Sequence, residues 1–113
     1  MRDDRERLID IQDAIERIGR YADRGREALD TDELVLAWMI YNVQIIGEAC
    51  RGLSESFRSA HPEIPWISII AMRNTMVHRY FAVDKDLLWE AIMNDVPRLM
   101  EQVRQLIDAS KKP

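Results

Sequence analysis

From Leu34 to Ile46 the chain reads LVLAWMIYNVQII, and only Asn42 and Gln44 interrupt its apolar character. A helix on a protein surface carries one apolar stripe and leaves its other faces polar. This segment is apolar on nearly every side, so it reads as a central helix packed on several neighbours. A bundle built from 113 residues can hardly enclose one helix completely. The same run therefore also points to a contact between two copies of the chain. It is too short to cross a bilayer, which takes about 20 residues.

The rest of the sequence supplies partners for such a helix. Leu8, Ile11, Ile15, Ile18 and Ala22 recur at spacings of three and four, the signature of one helical face. Asp30 followed by Glu33 resembles a capping box, which predicts a second helix from near Thr31. Pro62 and Pro65 forbid a continuous helix through residues 60–66 and suit the start of a third, from about Trp66 to about Arg79. Phe81 to Asp84 reads as a short link, with Asp84 or Asp86 available to cap the next helix. Leu87, Leu88, Ala91, Ile92, Val96, Leu99, Val103 and Leu106 carry helical periodicity onward, and Pro97 should kink or split that run. The tail from Lys111 to Pro113 is expected to fray. The reading is a single all-α domain over residues 1–113, an antiparallel up-and-down bundle of four to five helices.

Charge and cysteine content narrow the function classes. The net charge of −4 argues against a broad basic surface for nucleic acid. Its distribution is uneven: residues 1–33 hold eleven acids and seven bases, whereas residues 34–83 hold three acids and four arginines. A phosphate site would sit in that middle stretch, as a local pocket. Cys50 is the lone cysteine, so no internal disulfide is possible and a reducing cytoplasm suits the chain. The charged start, Met1-Arg-Asp-Asp-Arg-Glu-Arg, does not read as a signal peptide. One cysteine and two distant histidines offer no zinc-ligand spacing, and no cofactor motif is present.

The third helix ends Ala71-Met-Arg-Asn-Thr-Met-Val-His-Arg-Tyr80. Arginine can donate two hydrogen bonds to a phosphate. Histidine titrates near neutral pH and can move protons. Arg73 and His78 thus offer a minimum kit for cleaving RNA without a metal. Such cleavage activates the 2′-hydroxyl, stabilises charge on phosphorus and protonates the leaving 5′-oxygen. Asn74 and His78 are four apart and share a helix face. Arg73 and His78 are five apart, which separates them by roughly 140° about an ideal helix axis. Either the helix loosens near His78, or Arg73 reaches round, or two copies of the motif face one another. The competing structural role is plain: Arg and His near a helix C-terminus interact with its free carbonyls. Tyr80 alone would be a packing residue, His61 a turn or capping residue, and Trp66 and Trp89 core anchors.

The runs His61-Pro-Glu-Ile-Pro-Trp66, Met72-Arg-Asn-Thr-Met-Val-His-Arg-Tyr-Phe81 and Asp86-Leu-Leu-Trp89 resemble the HepT-like branch of the HEPN superfamily, as do Asn42 and Ile46-Gly-Glu-Ala49. The likeness runs in order from the first helix to Pro97. It implies a homodimeric helical bundle with two Arg/His motifs lining a shared cleft. It implies a metal-independent endoribonuclease that leaves a 2′,3′-cyclic phosphate, acting as the toxin of a toxin–antitoxin pair on messenger or transfer RNA. The partner it implies is an MntA-type nucleotidyltransferase antitoxin that transfers AMP to the tyrosine matching Tyr80. By residue, Arg73 would bind the scissile phosphate, His78 would be general acid and base, and Asn74 would orient the phosphate or His78. Glu48 would support them, orienting Arg73 through a salt bridge. The other role open to such a chain is a non-catalytic module that binds the nucleotidyltransferase and its nucleotide.

Overall fold

The computed structural model describes residues 3–77 and 84–110, with side chains for 3–72 and 84–110. Helix α1 spans Asp4–Ala22 and begins with a capping box. Asp3 accepts from the Glu6 N–H, and the Glu6 carboxylate accepts from the Asp3 N–H. Leu8, Ile11, Ile15 and Ile18 are buried, as their spacing requires. Gly25, at φ +82°, then turns the chain into the short helix α2, Gly25–Thr31, where a side chain would strain the backbone.

Helix α3, Glu33–Gly52, is the centre of the bundle. It packs against α1, α2 and the later helix α5, Trp66–Val77, which bury Val35, Met39, Val43 and Ile46, while Leu34 and Tyr41 of the same run stay exposed. Its start differs in detail from the Asp30/Glu33 reading. Asp32 is the N-cap and accepts from the Leu34 N–H, while Asp30 pairs with Arg26 at 3.1 Å within α2. An aspartate two residues nearer the apolar run can reach the free N–H groups, and Asp30 is already committed to α2.

One polar clasp fixes α3 on α1. Asn42 is fully buried; its amide donates to the Trp38 carbonyl at 2.9 Å and its oxygen accepts from Arg17 Nε at 2.9 Å. The Trp38 indole donates in turn to the Arg17 carbonyl at 2.8 Å. Every polar atom brought into the core here has a partner, as burial demands. At the far end of the same pair, Asp4 accepts from the Ser54 N–H and hydroxyl, both at 2.7 Å, so α1 and α3 run antiparallel.

After the short α4, Glu55–Ala60, and α5, the chain re-enters the described region at Asp84, which caps α6, Lys85–Glu90, by accepting from the Leu87 N–H. Asp86, the other capping candidate, is bound to Arg26 of α2 at 2.7 Å. Pro97 neither breaks nor visibly splits the helix. Residues Ala91–Asp95 form a π-turn, in which the Val96 N–H reaches the Ala91 carbonyl, and α7 continues as Val96–Ser110. A proline cannot donate and its ring crowds the carbonyl four residues back. The one extra residue in the turn absorbs that conflict. Helix α7 packs along α1, and Arg5 Nε donates to the Ser110 hydroxyl at 3.1 Å across their ends. The described residues therefore form four long antiparallel rods, α1, α3, α5 and α6–α7, with α2 and α4 at the corners. No strand occurs among them, and no described helix is long and apolar enough to cross a membrane.

Candidate functional site

Helix α5 carries Arg73 and Asn74, and its first turn is held firmly. Ile64 and Trp66 are buried, and the Trp66 indole donates to the His61 carbonyl at 3.0 Å. Phe57 packs on both the His61 ring and the Trp66 ring. His61 ends α4, its N–H bonded to the Arg58 carbonyl and its Nδ1 3.4 Å from Glu63, so it does the capping work expected of it. Trp66 is the core anchor it was read as, and Trp89 packs partly buried against the core. The anchored start sets the course of the rod two turns later, where Arg73 and Asn74 lie in the helical segment.

The side chains of Arg73 and Asn74, and the whole of His78 and Tyr80, lie outside the described residues, as do the link residues 81–83 and the tail 111–113. Glu48 is described. It is exposed on α3, the helix against which α5 packs. It opens on a cavity of about 200 Å³ bounded also by Arg7, Asp10, Tyr41, Gln44 and Ala49. Arg7 and Tyr41 had no place in the sequence reading. Tyr41 stands two turns before Glu48 on α3, and the antiparallel pairing of α1 with α3 brings Arg7 beside them.

Cys50 can be set aside as a nucleophile. It is buried in the core, and burial pushes its thiol up to about 12, with the Arg58 charge opposing only in part. The thiolate is the reactive form, so this cysteine stays inert at neutral pH.

The family model described as "Ribonuclease HepT-like" matches residues 11–106, an interval that contains α3, α5 and the whole Arg73–Tyr80 run. The chain belongs to the HepT-like ribonuclease family. A relative from Thermococcus cleftensis, named "Probable ribonuclease HepT", is 35% identical over 100 residues, covering 88% of this chain and 91% of its own. A chain from Caldanaerobacter subterraneus subsp. tengcongensis with a provisional RNase name is 34% identical over 80 residues, 71% of each chain. A longer Methanocaldococcus jannaschii protein is 32% identical over 106 residues, 93% of this chain but 48% of its own length. Its name joins a gamma-glutamylcyclotransferase to a provisional RNase. No solved structure matches the chain. Membership of this family brings with it the all-α HEPN-type bundle that the described helices display.

Proposed function

We propose that this HepT-like chain is a metal-independent endoribonuclease, the toxin of a toxin–antitoxin pair, working as a homodimer in the cytoplasm. The observation that carries the reading is the family match over residues 11–106, an interval that takes in Arg73, Asn74, His78 and Tyr80 together. In the reaction, His78 takes the proton from the ribose 2′-hydroxyl as that oxygen attacks phosphorus. Arg73 offsets the charge that builds on the phosphoryl oxygens, and Asn74 holds the phosphate or the imidazole in line. The bond from phosphorus to the 5′-oxygen breaks, and an imidazolium returns a proton to the leaving oxygen. The products are a 2′,3′-cyclic phosphate and a free 5′-hydroxyl.

Two copies answer the angular problem of Arg73 and His78, because a second motif supplies both the missing direction and a second histidine. The outer face of α5 supports this. Ile67 is 80% exposed and Ala71 is also exposed, and Asn74 follows Ile67 by two helical turns. An apolar stripe leading into the motif is what two facing α5 helices would bury. Purified chain with excess chelator should cleave RNA to cyclic-phosphate ends. Intact RNA under these conditions, with partner binding retained, would instead mark a non-catalytic module.

Regulation in this reading is by a nucleotidyltransferase antitoxin that transfers AMP to the Tyr80 hydroxyl, displacing pyrophosphate from ATP. Phosphates added there repel the RNA backbone and fill the cleft. Co-expression with the partner should add AMP mass to the peptide containing Tyr80 and silence cleavage. An unmodified Tyr80 peptide from silenced protein would remove this step.

A further inference from the structure

Leu34 opens the apolar run of α3, yet its side chain is 78% exposed. Its backbone N–H is what holds the helix start, bonded to the Asp32 carboxylate; the side chain has no part in that cap. Two hollows flank it. One, of about 330 Å³, is walled by Tyr21, Val35 and Trp38, with the two aromatic rings edge to face at 5.7 Å. The other, of about 800 Å³, lies at the corner of α2 and α3, with Leu29 and Leu36 among its walls and Lys85 of α6 on its border. A leucine standing free between two such hollows offers a knob and two holes, the relief of a contact surface.

The charge around this ridge selects the occupant. Residues 23–33 hold five acids, Asp23, Glu27, Asp30, Asp32 and Glu33, against two bases, Arg24 and Arg26. Both arginines are engaged, Arg24 with Asp32 at 4.0 Å, and Arg26 with Asp30 and with Asp86 of α6. Asp23, Glu27 and Glu33 are exposed, and their carboxylates have no ion pair among the described residues. A second copy brought to this face would set one acidic rim against another. An RNA strand or an anionic lipid surface is repelled for the same reason. A protein that offers an apolar centre inside a ring of lysines and arginines matches both the relief and the charge.

The place of this face in the chain narrows the partner further. Lys85 borders the α2–α3 hollow, and Arg26 ties α2 to the start of α6 through Asp86 at 2.7 Å. Tyr80 precedes Asp84 by four residues, so the chain can carry its Cα no more than about 14 Å from that of Asp84. We propose that the Leu34 ridge, with its two hollows and acidic rim, is the dock for the enzyme that modifies Tyr80, gripped by an apolar centre and a basic rim on that enzyme. The assignment rests on the nucleotidyltransferase reading for the partner's identity, but the binding it describes is separate from AMP transfer. An acidic dock repels RNA, so the partner can seat itself there without competing with substrate for the same charges.

The test uses full-length chain with Tyr80→Phe, which cannot accept AMP, titrated with the nucleotidyltransferase in a calorimeter. Leu34→Glu should raise Kd at least about 10-fold, because it presses a carboxylate into an apolar contact. The position is exposed and a glutamate in the first turn suits the helix dipole, so the melting temperature should hold. Glu27→Lys combined with Glu33→Lys should raise Kd by about 10-fold as well and flatten its dependence on salt. This charge reversal keeps the test decisive if Leu34→Glu unfolds. With Tyr80 in place, Leu34→Glu should raise the KM for AMP transfer, while the mass of the chain alone and its RNA cleavage stay parental. Parental affinity in both variants, or no complex with the parent chain, would overturn the dock. So would a fall in the mass of the chain alone in Leu34→Glu, which would put a second copy on this face. A partner held through Leu34 that leaves Tyr80 unmodified would keep the dock and remove the AMP-transfer reading. AMP transfer at the parental rate in Leu34→Glu would do the reverse.

Discussion

His78→Ala should slow RNA cleavage by at least about 100-fold under single-turnover conditions, the range lost when a general acid or base is removed. Arg73→Ala should cost a similar factor, on the order of 100- to 1000-fold, since it removes a charge placed where the transition state gains one. Arg73→Lys should fall between Ala and the parent. Lysine keeps the positive charge but lacks the planar fork that grips two phosphoryl oxygens. The two single losses should not multiply in the double variant if both residues act in one step on one phosphate. Rates are to be read on a short RNA with a single cut, with excess chelator, alongside growth arrest on expression of the chain alone. Full activity in either alanine variant would show that the motif at the end of α5 is a helix-end device and that cleavage, if any, lies elsewhere.

The sequence shows this motif more readily than it shows the surroundings. Arg73 and Asn74 are adjacent, and His78 and Tyr80 follow within six residues, so their chemistry is visible in a short window. The Leu34–Ile46 run was equally legible, because a helix apolar on nearly every side belongs at the centre; that Asn42 is its buried, paired amide shows only once α1 docks on it. The π-turn at Ala91–Asp95 was legible only as a disturbance. Pro97 demands relief, and whether the chain kinks or winds one residue wider depends on what α7 packs against. Helix α2 was hidden for a simpler reason. Its seven residues bury only Leu29, too little for a 3.6-residue period to appear. The Glu48 cavity was hidden for a topological one. Arg7 reads as one more charge on the polar face of α1 until the antiparallel docking of α3 sets it on Gly52. Local periodicity reports faces of single helices; it does not report which two faces meet.

Ile67→Asp should convert a dimer into a monomer and take the cleavage activity with it. Ile67 is 80% exposed, so the folded chain loses almost no packing and should keep its helical content and melting temperature nearly unchanged. Beside it is a hollow of about 510 Å³ bounded by Arg58, Pro62, Pro65 and Trp66, large enough to take an apolar side chain from a second copy. In a two-fold interface the substitution appears twice. Each buried carboxylate without a matching cation costs several kcal/mol, enough to shift a micromolar dimer to monomer at working concentrations. Sedimentation equilibrium reads the mass, and the same RNA assay reads the rate. The pair of readouts separates two ideas that otherwise travel together. A monomer that still cleaves at the parental rate would show that one Arg73–His78 motif suffices and that the roughly 140° between them is closed within a single chain. A dimer that persists in Ile67→Asp would move the interface off this face of α5. Monomer and lost cleavage together would place the reacting phosphate between two copies, with Arg73 and His78 acting from opposite sides of it.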